Sequence, residues 1–226
     1  MLIPYSELVR LYRITSDPNI PNLPPRWNVA PSQDIPAVRL DRHGKRRLVS
    51  LRWGLIPYWA KDAKIGYRTI NARAETVATA PAFREAFRKR RCLIPADGFY
   101  EWQKQGGTRQ PYRVILKDGA PFALAGLWER WRNPENGEKV ESCTIIVTDA
   151  NELVAPLHDR MPVIIDPADF DAWLDTSRGT ETAQALLKPY PAETMTAYPV
   201  SKHVNKPEND DPGCIEPVTL EPAADE

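Results

Sequence analysis

From Phe99 to Thr148 the chain runs Phe99-Tyr100-Glu101-Trp102-Gln103-Lys104, then Tyr112-Arg113-Val114-Ile115-Leu116, Phe122-Ala123-Leu124-Ala125-Gly126-Leu127 and Ser142-Cys143-Thr144-Ile145-Ile146-Val147-Thr148. The breaks between these runs are Gln105-Gly106-Gly107-Thr108, Asp118-Gly119 and Asn136-Gly137. Short runs rich in β-branched and aromatic residues, separated by glycine turns, read as consecutive strands. Cys92 to Pro95 reads as one more strand ahead of them.

Working outward, Ile35 to Leu40 and Arg47 to Trp53 form an expected hairpin around Asp41-Arg42-His43-Gly44-Lys45. Helices are expected at the periphery. One is capped by Ser6 and runs through Tyr12, with Leu8, Leu11 and Tyr12 on one face. Another spans Thr79 to Arg90, with Phe83 and Phe87 at i and i+4. Three more cover Asn151 to Leu157, Pro167 to Leu174 and Thr180 to Leu187. Residues 17–36 hold six prolines and read as an extended connection. Residues 54–70 read as a loop rich in aromatics and charges. Together these define an α+β fold: a single β-rich domain of mainly antiparallel strands over residues 1–220, with a frayed polar tail at 221–226.

Composition bounds the function loosely. The chain has 226 residues, 42% hydrophobic and 27% charged, as a globular domain does. Thirty Lys and Arg balance thirty Asp and Glu, so the total charge does not point to nucleic acid, although a neutral sum can hide a basic groove. Three cysteines (Cys92, Cys143, Cys214) and three histidines lie far apart without metal-ligand spacing, which predicts reduced thiols, no metal and no cofactor. Cys92 and Cys143 sit in apolar strands and are expected to be buried; Cys214, between Gly213 and Ile215, is expected to be exposed. Neither a membrane span nor a signal peptide is visible, and the expected location is cytoplasmic.

Three segments carry ionisable or amide groups beside Gly, Pro or aromatics: Asn71-Ala72-Arg73-Ala74-Glu75-Thr76, Asp97-Gly98-Phe99-Tyr100-Glu101-Trp102 and His158-Asp159-Arg160-Met161-Pro162. Glu101 is either a carboxylate on a solvated strand face or an acid–base group in an aromatic pocket, where burial would raise its pKa. His158 follows an apolar stretch and precedes charges and a proline, which favours a site modestly. Asn71 is either a helix N-cap or an amide that orients substrate. Arg73 either pairs with Glu75 or grips a phosphate. Of Tyr58 and Trp59 one is expected in the core, while a loop-borne aromatic pair also suits stacking on unpaired bases. The run Arg84, Arg88, Lys89, Arg90, Arg91 reads as the wet face of a helix.

In order and spacing these segments resemble the SOS-response-associated peptidase (SRAP) family. Trp27-Asn28-Val29-Ala30-Pro31, Trp53-Gly54 with Pro57-Tyr58-Trp59, Ile146-Val147-Thr148 and Tyr198-Pro199-Val200-Ser201 extend the similarity from about Trp27 to Val218. The resemblance implies a barrel-like fold and a monomer that recognises abasic sites in single-stranded DNA and links itself to them. It places Asn71, Glu101 and His158 around the reactive centre, Asn28, Arg73, Thr148 and Arg160 along the DNA, and Tyr58 and Trp59 as an aromatic wedge. The family's reactive group is an N-terminal cysteine bared by self-cleavage. Its free amine condenses with the aldehyde of the open sugar, and its thiol closes a thiazolidine.

This sequence opens Met1-Leu2-Ile3-Pro4. The expectation is a misassigned start, with the cysteine a few residues upstream. A short N-terminus is not expected to reach the site by itself. The alternatives are a non-covalent binding module for single-stranded or damaged DNA, and a small hydrolase using Glu101 and His158.

Overall fold

The computed structural model describes residues 2–15 and 23–220. The tail at 221–226 and part of the proline-rich connection lie outside the described residues. In chain order the strands are β1 (Asp34–Leu40), β2 (Arg46–Trp53), β3 (Asn71–Arg73), β4 (Arg91–Ala96), β5 (Phe99–Gln105), β6 (Thr108–Leu116), β7 (Phe122–Arg132), β8 (Lys139–Asp149), β9 (Arg160–Pro162), β10 (Ile164–Ile165) and β11 (Met195–Pro199). The α-helices are short: α1 (Tyr5–Tyr12), α2 (Arg84–Lys89), α3 (Phe170–Leu174) and α4 (Glu181–Ala185).

Five strands close on themselves in the order β7-β4-β1-β2-β8 and back to β7. Closure removes the exposed edges that an open sheet of this size would carry. Pairing is antiparallel except where β8 meets β2 and β3. The first hairpin turns at Asp41, whose side chain accepts from the N–H groups of His43 and Lys45. A separate antiparallel sheet, β11-β6-β5, lies beside the barrel.

The apolar strands read as near-continuous runs because both of their faces are buried. Along β4, Cys92, Ile94 and Ala96 join a cluster with Leu51, Leu124, Cys143 and Val114. Leu93 points the other way, into a cluster with Leu8, Tyr12, Phe87 and Trp173 from the covering helices. Arg91 is not on a wet face: it is buried and donates to the carbonyls of Trp173, Phe87 and Asp175, tying β4 to α2 and α3.

Several helical expectations are corrected. The first helix begins at Tyr5 after Pro4, so Ser6 lies inside it and makes no cap. The stretch from Thr79 forms turns until Arg84, because Pro81 interrupts the ladder. Asn151 to Leu157 forms turns rather than a helix, held by Asn151 Oδ1 accepting from the Val154 N–H. Asn71 opens a strand, not a helix. The segment Pro167 to Leu174 divides into a 3-10 turn at Pro167–Asp169 followed by α3. Among the described residues, no helix is long and apolar enough to cross a membrane.

Candidate active site

A pocket of about 660 Å³ opens between the barrel and the small sheet. Its lining brings together Asn71, Arg73, Glu101, His158, Arg160 and Asn28. Strand β8 explains much of this convergence. Its Val147 is in register with Arg73 of β3 on one side and with Pro162 of β9 on the other. Within β3 the alternation is clean: Ala72 is fully buried while Asn71 and Arg73 share the exposed face.

Glu101 reaches the pocket from the small sheet, where its backbone pairs with Tyr112. Burial pushes its carboxyl up to about 7, and the negative charge of Asp159 adds to the rise. A carboxyl titrating there holds and releases a proton with equal ease near neutral pH. Its neighbours brace the strand. The Tyr100 hydroxyl donates to the Trp27 carbonyl, and Trp102 Nε1 donates to Asn205 Oδ1.

His158 sits at the end of the 151–157 turns. Its Nδ1 accepts the Arg160 backbone N–H at 3.0 Å, which leaves the proton of the neutral ring on Nε2. Asp159 Oδ1 lies 3.1 Å from the same Nδ1. Arg160 is gripped by Glu75 at 2.5 Å and Asp149 at 3.1 Å. The Arg160 hydrogen bond holds the Glu75 carboxyl below its usual range. Glu75 thus takes Arg160 as its salt-bridge partner, where pairing with Glu75 was one of the two readings of Arg73.

Other expected residues lie differently. Asn28 is buried, and its amide nitrogen faces the carbonyls of Val204, Lys206 and Asn209, so it pins the loop that forms one wall. Thr148 is buried on β8 and does not line the pocket. Tyr58 and Trp59 lie outside it, and both are exposed; neither belongs to the core. A tight crossing pins their loop, since a Cβ on Gly54 would come within 2.6 Å of the Gly66 carbonyl oxygen.

Sequence reading missed Arg113 and the place of Leu2, and it quoted the segments of Asp97 and Tyr198 without giving either residue a part. Arg113 runs beneath Gly98, where a Cβ would meet its Nε at 2.8 Å. Its Nη2 donates to the Asp97 carbonyl and its Nη1 to the Tyr198 hydroxyl. The glycine after Asp97 was the available signal of that close approach. The N-terminal segment does reach the site: Leu2 lines the pocket, and its N–H donates to Asp97 Oδ2 at 2.8 Å.

Cys92 and Cys143 are buried as expected; Cys214 is buried too, contrary to expectation. Burial raises all three thiols above their ordinary pKa, Cys92 to about 12. The fold gathers His203, Asp211 and Cys214 so that one donor atom of each lies within 4.8 Å of the others. Those atoms already have partners: His203 Nε2 meets Asp211 Oδ2 at 2.8 Å, and Cys214 Sγ donates to the Asn209 carbonyl. Asn209 Nδ2 also donates to His203 Nδ1 and to the His203 carbonyl, which locks this segment behind the pocket wall.

Residues 3–207 match the family model described as SOS response associated peptidase (SRAP). The chain is 49% identical over 194 residues to "Abasic site processing protein YoqW" of Bacillus subtilis (strain 168), covering 85% of this chain and 86% of that protein. It is 32% identical to "Abasic site processing protein HMCES" of Gallus gallus, covering 87% and 67%. A crystal structure of a protein from Bacteroides thetaiotaomicron superposes with a TM-score of 0.75 at 33% identity, covering 83% of this chain and 82% of that one.

Proposed function

The chain belongs to the SRAP family, and from that premise we propose that it processes abasic sites in single-stranded DNA. In this reading Asn71, Glu101 and His158 are the reacting groups. Asn28, Tyr58, Trp59, Arg73, Thr148 and Arg160 form or hold the DNA-binding surface. The observation that carries the reading is the single pocket in which an amide, a carboxyl, an imidazole and two guanidiniums meet beside the amino end of the chain.

The chemistry follows from that set. The open abasic sugar presents an aldehyde. An amine adds to its carbon, and the hydroxyl of the resulting carbinolamine leaves as water once it receives a proton. Glu101, titrating near neutrality, is suited to give that proton and to take one back from the amine nitrogen. The Nε2–H of His158 suits a hydrogen bond to the ring oxygen as the sugar opens. Arg73 and Arg160 suit the flanking phosphates. A thiol adding to the imine carbon, with its proton passing to nitrogen, completes a covalent link that outlasts unfolding. Cys92, Cys143 and Cys214 do not supply that pair of groups, because each carries an amide nitrogen and a buried thiol. The nucleophile in this reading is an N-terminal cysteine delivered along the path that Leu2 marks.

The test uses this chain and a version with cysteine inserted directly ahead of Leu2, exposed by removal of the initiator methionine. Each is mixed with single-stranded DNA carrying an abasic site and resolved on a denaturing gel. The expected result is an adduct with the inserted cysteine, reduced when Glu101→Gln is added. Salt-sensitive binding without an adduct supports the second reading, a non-covalent binder, which the exposed Tyr58 and Trp59 favour. Absence of both overturns the proposal.

A further inference from the structure

Glu101 reaches the pocket on a strand, but His158 reaches it on the loop 150–159 that connects β8 to β9. The base of this loop is closed where the Ala150 N–H donates to the Asp159 carbonyl at 3.0 Å. Inside it, the Val154 carbonyl accepts the N–H groups of Leu157 and His158. Nothing in these local bonds sets the distance from His158 to the sheet that carries Glu101.

Asn151 supplies that link, because every polar group it owns is engaged. Its carbonyl accepts from Ala155 at 2.9 Å, and its Oδ1 accepts from the Val154 N–H at 3.0 Å, which shapes the loop. Its backbone N–H donates to Met161 Sδ at 3.4 Å, and Met161 lies on β9, directly after His158. Its Nδ2 donates to the Tyr190 carbonyl at 2.7 Å and to Met195 Sδ at 3.4 Å. Met195 opens β11 of the small sheet. From there the path to Glu101 is a ladder: Met195 is opposite Leu116 of β6, and Tyr112 of β6 is opposite Glu101 of β5. A second tie lies at the far end of the loop, where Gln103 Nε2 donates to the Pro156 carbonyl at 3.3 Å. Gln103 shares its strand face with Glu101. Val154, Met161 and Met195 also pack in one apolar cluster, but such contact is non-directional. The amide of Asn151 fixes direction as well as distance.

We propose that Asn151 is a positioning residue, which sets the separation of His158 and Glu101 across the pocket by tying the His158 loop to the small sheet. The inference rests on the roles proposed for those two residues. Reacting groups carried by different sheets need such a tie, since a misplacement of about 1 Å costs on the order of a hundredfold in rate.

The first test is amide hydrogen exchange on the chain as it stands. Asn151→Asp keeps the shape and the Oδ1 acceptor but removes the donor to Tyr190, and Asn151→Ala removes both. Each is expected to speed exchange at Leu157 and His158 about tenfold, while the amides of β8 keep their rates. The second test uses the version with cysteine ahead of Leu2 and single-stranded DNA carrying an abasic site. Both substitutions are expected to slow adduct formation about tenfold at unchanged DNA affinity. Beside His158→Gln they are expected to slow it no further, because Asn151 acts through His158. Unchanged exchange, or an unchanged rate, overturns the proposal. So does a rate loss that persists in full beside His158→Gln. If no adduct forms even with Asn151 in place, the proposed function falls, while faster exchange still supports the tie and unchanged exchange still overturns it.

Discussion

Strands β4 and β5 are separated by two residues, Asp97 and Gly98, yet they live in different environments. Every residue of Arg91–Ala96 is buried, whereas none from Phe99 to Lys104 is. The first strand is part of a closed ring with apolar clusters on both faces; the second belongs to a three-stranded sheet that is half open to the pocket. The candidate site lies at the place where burial stops. Full burial fixes geometry but excludes substrate, and it accepts a charge only where the fold supplies its partners, as at Arg91. Half burial leaves room for substrate and still shifts the acidity of Glu101.

The largest expected break in this comparison comes from the buried strand. Leu93→Ala removes a side chain with no exposed surface from the contact with Leu8, Phe87 and Trp173, and is expected to lower unfolding free energy by about 2–5 kcal/mol in urea. Glu101→Gln is expected to act in the opposite direction. The folded carboxyl titrates near 7 and the free one near 4.5, so its burial penalty is full above about pH 7 and gone below about pH 4.5. Wild-type stability should therefore fall as pH rises through that window, while the Gln variant stays flat across it. At pH 8 the variant should be more stable by up to about 3 kcal/mol in the same urea titration, at the expense of activity. A wild-type profile that rises through this window would place the charged carboxylate in a favourable environment and remove its proposed role. The smallest effect belongs to Tyr100→Phe, which deletes the hydroxyl contacts with the Trp27 and Cys214 carbonyls and should cost about 1 kcal/mol, read as a modest drop in thermal midpoint.

The two strands also differ in how legible they were. The apolar runs of β4, β7 and β8 announce themselves in sequence, because nothing but a twice-buried strand explains them at that length. Their true extents do not. β7 continues through Trp128-Glu129-Arg130-Trp131-Arg132 and β8 begins at Lys139, since Glu129 pairs with Arg90 while Glu141 pairs with Arg39 and Arg130. Charges that look like loop in one dimension become ladder once partners arrive from 11, 39 and 102 residues away. The same holds for Arg91, which reads as solvated and serves as a buried tie, and for Cys214, which reads as exposed and is covered by a folded-back segment. Asn71, Glu101 and His158 were singled out by residue type and company, and all three line one pocket. Arg113 and Leu2 were not, and Asp97 was quoted without a part, because their meaning depends on a close approach beneath Gly98 and on where the amino end lands.

The ring of five strands also dictates a chronology. The β1–β2 hairpin joins segments that are neighbours in the chain and can pair as soon as both exist. Closure waits for β8, whose Cys143 meets Trp53 from about 90 residues downstream, in parallel and over a short register. Loop-closure entropy makes such a joint slow and late. On a ribosome, β2 and β7 each stand with an unpaired flank until Lys139–Asp149 emerges, and the same strand then sets β3 and β9 on its two sides. The candidate pocket is therefore among the last features to exist, and a chain that stops short of β9 lacks one of its walls.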